Sequence, residues 1–247
     1  MTTDISPELA EVCGVHAGDG YLRGEGQRWE LDISGNVEEK DYYDHHLKLL
    51  FENLFGIEVN CRFFPHRSTY GFVIRNREVI KTMHELGFPY GNKSTIIKVP
   101  KKVMKSNNNE VLSRFLRGLF DTDGCVHFRT SSKKQKYTEF KKTHHHYPII
   151  QFSTVSKELY HNVKEILGML GFGKVGVYTY VPKKPNENVR YVLTLYGSEK
   201  TKKFFNAACP KNPVKLSRYL LWKKNGHCPS NLTYDQRMQM LKNTENL

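Results

Sequence analysis

The sequence predicts an α+β fold made of two pseudo-symmetric halves, each with the element order αββαββα. A short motif carries much of this prediction: an apolar helical stretch, a glycine, four residues and Asp-Gly occur at residues 9–20 and again at 115–124. The elements inferred after each copy follow the same order, which indicates an internal duplication. A length of 247 residues suits one large domain or two small ones and is enough to bury a core.

In the first half, Ser6 and Pro7 are typical of the N-cap and first turn of a helix, which is expected to run to about Gly18. Alternating polarity predicts a strand after it, and apolar residues at helical spacing predict a second helix that ends at Gly56. Two short strands and a third helix complete the half. These five elements are expected over residues 28–35, 38–55, 57–65, 69–76 and 77–86.

The second half repeats this order. Helices are predicted near residues 110–122, 156–170 and 198–207, and strands near 125–130, 148–153, 174–181 and 188–196. The tail, about 214–243, is expected to add one or two helices. Because the segment between the halves is basic and polar, it is predicted to be a linker. The chain therefore divides into 1–97, 98–109 and 110–247.

The charge balance favours a polyanionic partner, because 38 lysines and arginines face 25 aspartates and glutamates, a net charge of +13. An ordinary basic protein with a solvated surface is the alternative. No apolar run approaches the roughly 20 residues that span a bilayer, and no secretion signal opens the chain. Five scattered cysteines indicate a reducing, intracellular location, in the cytoplasm or an organelle matrix, away from membranes.

The two motif helices have small residues at a spacing that permits close contact. Gly14 and Gly18 lie four residues apart on one helix face, and Gly118 and Thr122 repeat this spacing. Small residues at this spacing let two helix backbones approach each other. A close crossing would bring the C-terminal ends of both helices together, and with them the aspartates that follow.

Asp19 and Asp123 are therefore predicted to form a pair of carboxylates. A carboxylate at a helix C-terminus is unfavourable because the helix dipole is negative there, so the pair makes sense if cations lie between its members. Mg²⁺ accepts one or two carboxylates together with phosphate oxygens, and two ions about 3.5–4 Å apart can promote hydrolysis. Gly18 and Thr122, which precede the aspartates, are included in the predicted metal site. Two ordinary Asp-Gly turns are the alternative.

These stretches resemble the LAGLIDADG homing endonucleases, in the single-chain form with two motifs. The stretch from Gly118 to Gly124 fits the family pattern closely. The stretch from Gly14 to Gly20 departs from it in the middle, where His-Ala-Gly replaces an apolar residue, Asp and Ala. By the resemblance, the metal role carries over to Asp19 and Asp123, whereas Asp121 is expected to be structural.

The resemblance also implies how the protein acts. Two four-stranded antiparallel sheets would form a saddle in the major groove of double-stranded DNA, and a monomer would cut both strands at a long target site. The implied cofactor is Mg²⁺ or Mn²⁺, with Ca²⁺ as a non-cleaving substitute. Members of the family usually arise from introns or inteins. Host intron RNA is therefore a second possible partner.

Lysines near the scissile phosphates are a further implication of the resemblance. Lys93 and Lys211 each follow the last helix of a half and are the candidates, with Lys215 as a substitute for Lys211. A cation there can neutralise developing charge. The alternative for each is a solvated surface lysine.

Polar, basic and aromatic residues that alternate along the strands are candidates for DNA contact, since arginine can read guanine and glutamine can read adenine in the major groove. Which face of each strand meets DNA is left open. The candidates on or beside strands are Arg23, Arg28, Glu30, Asp32, Arg62, Phe64, Arg67, Arg75, Arg77, Arg129, Gln151, Lys174, Tyr178, Tyr180, Lys183, Arg190 and Tyr191. Lys133, Lys134 and Lys136 are expected on an arm that follows the phosphates. Asn36 and Thr154, at strand ends, either contact phosphates or cap helices.

The leading hypothesis is a sequence-specific, metal-dependent DNA endonuclease with Asp19 and Asp123 at its centre. An RNA maturase of the same fold needs the basic surface but not the carboxylate pair. A DNA-binding regulator without catalysis is the third possibility.

Overall fold

Two antiparallel sheets with the same topology form the framework of the structure, a computed structural model that describes residues 4–130 and 146–243. The strands are β1 Gly20–Glu25, β2 Arg28–Asn36, β3 Arg62–Phe64, β4 Thr69–Ile74, β5 Cys125–Thr130, β6 His146–Thr154, β7 Gly176–Tyr180 and β8 Arg190–Tyr196. The sheet orders are β1-β2-β4-β3 and β5-β6-β8-β7. The predicted α+β class, with a four-stranded antiparallel sheet in each half, is confirmed.

Helices cover one face of each sheet. They are α1 Pro7–Asp19, α2 Lys40–Tyr42, α3 Lys48–Phe55, α4 Arg77–Glu85, α5 Lys101–Met104, α6 Asn109–Thr122, α7 Lys157–Met169, α8 Ser198–Ala208, α9 Pro213–Asn225 and α10 Tyr234–Asn243. A π-helical turn, Tyr43–Leu47, joins α2 to α3. None of the helices in the described ranges is long and apolar enough to cross a membrane.

Three predicted elements differ from the structure. The strand expected over 57–65 is limited to β3, because the preceding segment bonds to helix α3 instead: the Val59 amide donates to Glu52 Oε1 at 3.0 Å. The segment 98–109 contains helix α5, whose Val103 is fully buried. The helix expected over 38–55 is interrupted by the π-helical turn.

Helices α1 and α6 cross in close contact at their glycines. A Cβ atom on Gly14 would lie 2.1 Å from the Phe115 carbonyl oxygen, and one on Gly118 would lie 2.2 Å from the Glu11 carbonyl oxygen. A Cβ atom on Gly18 would meet the Thr122 hydroxyl at 2.1 Å. The helix backbones therefore touch at Gly14 and Gly118, and a larger side chain at either position, or at Gly18, would force its neighbours to move.

A buried ionic cluster joins the same two helices at a point further from the sheets. Glu11 of α1 is fully buried, and its Oε2 accepts from Arg114 at 2.7 Å and from Arg117 at 3.1 Å, both on α6. His46 Nε2 lies 2.6 Å from Glu11 Oε1. Burial alone would raise the pKa of Glu11, but the hydrogen bond from His46 and the charge of Arg117 hold it below its usual value. The cluster therefore locks the register in which α1 meets α6.

We expect Gly14→Ala to destabilise the protein by about 1–3 kcal/mol, because the added methyl group must push two helix backbones apart. Gly168→Ala is the matched control: Gly168 also lies in a helix, but nothing stands within 4 Å of the place that an alanine methyl group would take there. That change should stabilise by about 0.5–1 kcal/mol. Urea unfolding of both variants measures the difference, and equal effects would contradict the close crossing.

Candidate active site

The crossing of α1 and α6 brings Asp19 and Asp123 together. Asp19 ends α1 and Asp123 caps α6. The Cβ position at Gly18 is only 3.3 Å from Asp123 Cγ, so the Asp123 carboxyl group lies beside the end of α1, next to the residue that precedes Asp19. Burial, and then the charge of Asp123, raise the pKa of Asp19 to about 7. The pKa of Asp123 is also raised, mainly because protein surrounds it, although Lys93 and Lys215 oppose the rise.

Asp19 lies in a more crowded environment than its counterpart. The Tyr43 hydroxyl donates to Asp19 Oδ2 at 2.8 Å. A third carboxylate stands nearby, because a Cβ atom on Gly35 would lie 2.7 Å from Asp19 Oδ2 and 3.3 Å from Glu39 Oε2. Glu39 is fixed by a residue of the second half of the chain: Asn212 Nδ2 donates a hydrogen bond to Glu39 Oε1 at 2.8 Å. Sequence reasoning missed both Tyr43 and Glu39, since they lie outside the repeated motif.

Asp123 lines a cavity of about 200 Å³. Lys93, Ser153, Thr154 and Arg190 also line this cavity. The Thr154 hydroxyl accepts from the Ser156 amide at 3.1 Å, so Thr154 acts as a local cap at the end of its strand. The two aspartates are thus related by the motif but differ in their surroundings.

A lysine contacts the C-terminal end of each motif helix. Lys93 Nζ donates to the carbonyl oxygens of Ala17 and Gly18, at 2.9 and 2.7 Å. Lys215 Nζ donates to the carbonyl oxygen of Phe120 at 2.7 Å and also to that of Thr122. These contacts place a positive charge where the helix dipole is negative and where the aspartates stand. Burial lowers the pKa of Lys93, and the charges of Asp123 and Asp19 oppose this.

Lys211 does not occupy the place that the sequence predicted for it. Its side chain is exposed and lines a separate cavity beside Arg114 and Arg117, and only its backbone amide reaches the motif, donating to Asp121 Oδ2 at 2.7 Å. The reason is the start of helix α9, which turns the chain after Asn212 and directs the residue one turn later, Lys215, at the motif. Lys215 is therefore the counterpart of Lys93.

The donor set suits a hard divalent cation. Two carboxylates that repel each other at two helix ends are stabilised by a cation between them, and Mg²⁺ accepts such a pair while keeping water or phosphate oxygens as its other ligands. No group of three or more histidine, cysteine, aspartate or glutamate side chains suited to a metal occurs in the described part of the chain. The carbonyl oxygens of Gly18 and Thr122, included in the predicted metal site, accept from the two lysines.

The chain is similar to known proteins both in sequence and in fold. Residues 110–207 match the family model of the LAGLIDADG-like domain. Over most of its length the chain also has the fold of solved single-chain LAGLIDADG homing endonucleases. The first motif departs from the LAGLIDADG pattern at His16, which is fully buried against the Phe88 ring at 4.4 Å between centroids. Burial lowers the pKa of His16 to about 3, so it packs as a neutral residue in an apolar position.

Two solved LAGLIDADG structures show the extent of the similarity. I-DmoI in complex with DNA and calcium aligns with a TM-score of 0.53 and 15% identity, over 83% of this chain and 91% of that chain. I-LtrWI bound to target DNA aligns with a TM-score of 0.51 and 14% identity, over 97% of this chain and 92% of that chain. Other complexes of I-DmoI with DNA were solved with manganese or in the presence of magnesium.

A curated relative is the tRNA-splicing ligase RtcB of Methanopyrus kandleri, which is 28% identical over 214 residues. The match covers 79% of this chain but only 20% of the ligase. The chain therefore spans about one fifth of the length of this relative.

Burial and strand register show which strand positions of the two sheets face away from the helices. In β2, Leu31 and Ile33 are fully buried in the core, whereas Arg28, Glu30 and Asp32 point to the opposite side, called here the outer face. The alternation and register place the following predicted DNA-contact residues on the outer faces of the two sheets: Arg23, Arg28, Glu30, Asp32, Arg62, Phe64, Arg129, Gln151, Tyr178, Tyr180 and Arg190. Arg67 and Arg75 lie at the ends of β4 and ion-pair with residues of this face.

Several other candidates lie elsewhere. Tyr191 points to the helix side and packs on the Tyr160 ring at 5.4 Å, so its assignment to the DNA-contact set is corrected. Arg77 begins helix α4 and lies over the Trp29 ring at 5.6 Å. Asn36 caps a helical turn by accepting from the Glu38 amide at 2.9 Å. Lys174 and Lys183 lie in the loops on either side of β7, and Lys133, Lys134 and Lys136 fall outside the described residues.

We expect the melting temperature of the metal-free protein to fall as the pH rises from about 5 to about 8. Burial raises the pKa of Asp19 and of Asp121 to about 7 in the folded protein, from a usual value of 3.8. Between these values the two folded aspartates bind protons that the unfolded chain has released. They outweigh the opposite effect of His16, whose pKa burial lowers from 6.5 to about 3, so stability decreases with rising pH.

The matched variant is Asp19→Asn, which cannot ionise and should show a smaller fall over the same pH range. Differential scanning calorimetry in the presence of a chelator measures both slopes. A wild-type protein that gains stability over this range would contradict the raised pKa values.

Proposed function

We propose that the protein is a sequence-specific endonuclease that makes a double-strand break in DNA with the help of divalent metal ions. The observation that carries the proposal is the aspartate pair at the crossing of α1 and α6, with one lysine on the end of each motif helix. The basic outer faces of the two sheets provide a surface for the phosphate backbone and the base edges. The DNA complexes of I-DmoI and I-LtrWI support this function by analogy of fold.

In the proposed mechanism, Asp19 and Asp123 would hold Mg²⁺ or Mn²⁺, and Ca²⁺ would be a substitute that does not support cleavage. The chemistry that such ions would supply is activation of water and compensation of charge on the phosphate. Tyr43 fixes the Asp19 carboxylate through its hydroxyl, so the carboxylate keeps one orientation. Lys93 and Lys215 place ammonium groups at the centre, where they stabilise the negative charge that develops on the phosphate oxygens.

One chain supplies both motifs, and we propose that it acts as a monomer on a target with two half-sites. A location inside the cell agrees with five cysteines that are all free thiols.

The RNA maturase and the non-cleaving regulator need the basic surface alone, so the aspartate pair favours the nuclease over both.

Asp19→Asn and Asp123→Asn should each reduce cleavage by about a hundredfold or more, because metal-ion stabilisation is worth several kcal/mol, while DNA binding remains. The substrate is a duplex selected by the wild-type protein from a randomised library with Mg²⁺. Cleavage is followed on gels and binding by mobility shift with Ca²⁺. Undiminished cutting by either variant would rule out the proposed centre, and failure of the wild type to cut any duplex would favour a binding protein.

Lys215→Met should slow cleavage by about a hundredfold, because it removes a cation that stabilises developing charge. Lys211→Met is the matched control, since it deletes an exposed lysine of the same loop region and should leave the rate within about twofold. Single-turnover rates on the selected duplex compare the two, and circular dichroism checks that both variants are folded. A larger effect of Lys211→Met would restore the prediction made from sequence.

A further inference from the structure

The outer faces of the two sheets differ in chemistry. In the first sheet, arginines and carboxylates alternate and pair with each other. In the second sheet, the described side chains of the outer face include no aspartate or glutamate, and arginine is limited to Arg129 and Arg190. Hydroxyl, aromatic, amide and apolar groups take their place. Since the halves share topology, this difference lies in the side chains alone.

Arg67 is the most firmly positioned arginine of the first outer face. Its Nη1 donates to Asp32 Oδ2 at 2.8 Å, and its guanidinium lies 4.4 Å from the centroid of the Phe64 ring. Asp32 is fixed in turn, because the Ser34 hydroxyl donates to its Oδ1 at 2.9 Å. Phe64 is 5% exposed although it lies on the outer face, so its ring is a rigid support. The guanidinium is therefore oriented before any ligand arrives, and less entropy is lost when it binds.

A second arginine–carboxylate pair on the same face, Arg75 with Glu30, is more exposed to solvent. Arg75 Nε and Nη2 both donate to Glu30 Oε1, at 3.2 and 3.1 Å. The Arg75 side chain is 69% exposed. In the major groove an arginine donates to guanine O6 and N7, and a carboxylate accepts from the N4 amino group of cytosine. An Arg–carboxylate pair thus matches the two bases of G·C pairs.

The second outer face offers groups that suit adenine and thymine. Gln151 faces Thr194 across the sheet, and Ser153 faces Val192, which also pairs with Tyr178 on β7. Tyr178 and Tyr196 are 61% and 44% exposed. Glutamine can bond adenine N6 and N7, and methyl and aromatic groups contact the thymine methyl group.

We infer that the DNA target is asymmetric in composition: the first sheet reads a G·C-rich half-site and the second an A·T-rich half-site. Arg67 reads one guanine, and Asp32 and Phe64 are its positioning residues. This inference rests on the proposed function, because it needs the outer faces to meet base edges. It goes beyond that function by naming which bases each half selects.

The test is selection of duplexes from a randomised library by binding in Ca²⁺, followed by sequencing. The expected result is a consensus in which one half-site is mainly G·C and the other mainly A·T. Two specific half-sites of equal composition would overturn the inference while the proposed DNA recognition stands. Failure to enrich any sequence would overturn both.

Variants assign the half-sites to the sheets. Asp32→Asn should lower the preference for guanine at one position of the G·C-rich half-site by about tenfold, because Arg67 loses its orienting partner, while preferences in the other half-site stay unchanged. Arg67→Lys should remove the same preference, since lysine lacks the planar fork. Glu78→Gln is the matched control, because it breaks the exposed ion pair with Lys81 on α4 and removes the same charge. Equal loss of preference in both half-sites, or no change with Asp32→Asn, would overturn the role of Arg67.

Discussion

The whole arrangement depends on the contact between α1 and α6, in which the helix backbones touch at Gly14 and Gly118 and Gly18 packs on the Thr122 side chain. Because both helices end at this contact, the aspartates at their C-terminal ends are brought together there. The Glu11 cluster fixes the register at the far end of the same helices. Any shift of one helix along the other would separate the carboxylates and break these buried ion pairs together, so the structure couples stability to the active-site geometry.

The electrostatics of the site oppose folding and are offset by nearby cations. Each aspartate stands at the negative end of a helix dipole, and the two repel each other. Lys93 and Lys215 bond to the last carbonyl groups of these helices, so they stabilise the helix ends and the carboxylates at the same time. The surroundings differ, however: Asp19 receives a hydrogen bond from Tyr43 and lies near Glu39, whereas Asp123 faces an open cavity. The duplicated motif has thus diverged into two chemically different sites.

Sequence reasoning could predict the duplicated fold, because the repeated motif and the cap residues are local signals. Ser6 accepts from the Leu9 amide as an N-cap, and Gly56 takes the left-handed conformation that ends α3. The outer-face residues could be named, but not their side of the sheet, since alternation gives two sets and burial decides between them. Lys215 could not be preferred to Lys211 from the sequence, because the start of α9 decides which of the two lysines meets the motif. Glu39 and Tyr43 could not be found, because they reach Asp19 only through tertiary packing.

The two parts of the molecule are under different physical constraints. At the helix crossing, Gly14 and Gly118 are limited by backbone contact, so glycine is required at these two positions. On the outer faces, side chains point away from the core, so arginines can be replaced by tyrosine, threonine or glutamine without disturbing the fold. A duplicated chain can therefore keep one shared cleavage centre while its two sheets acquire different preferences for bases. The pairing of Arg67 with Asp32 and Phe64 illustrates this, since all three lie outside the main hydrophobic core and pair with one another rather than with the motif helices.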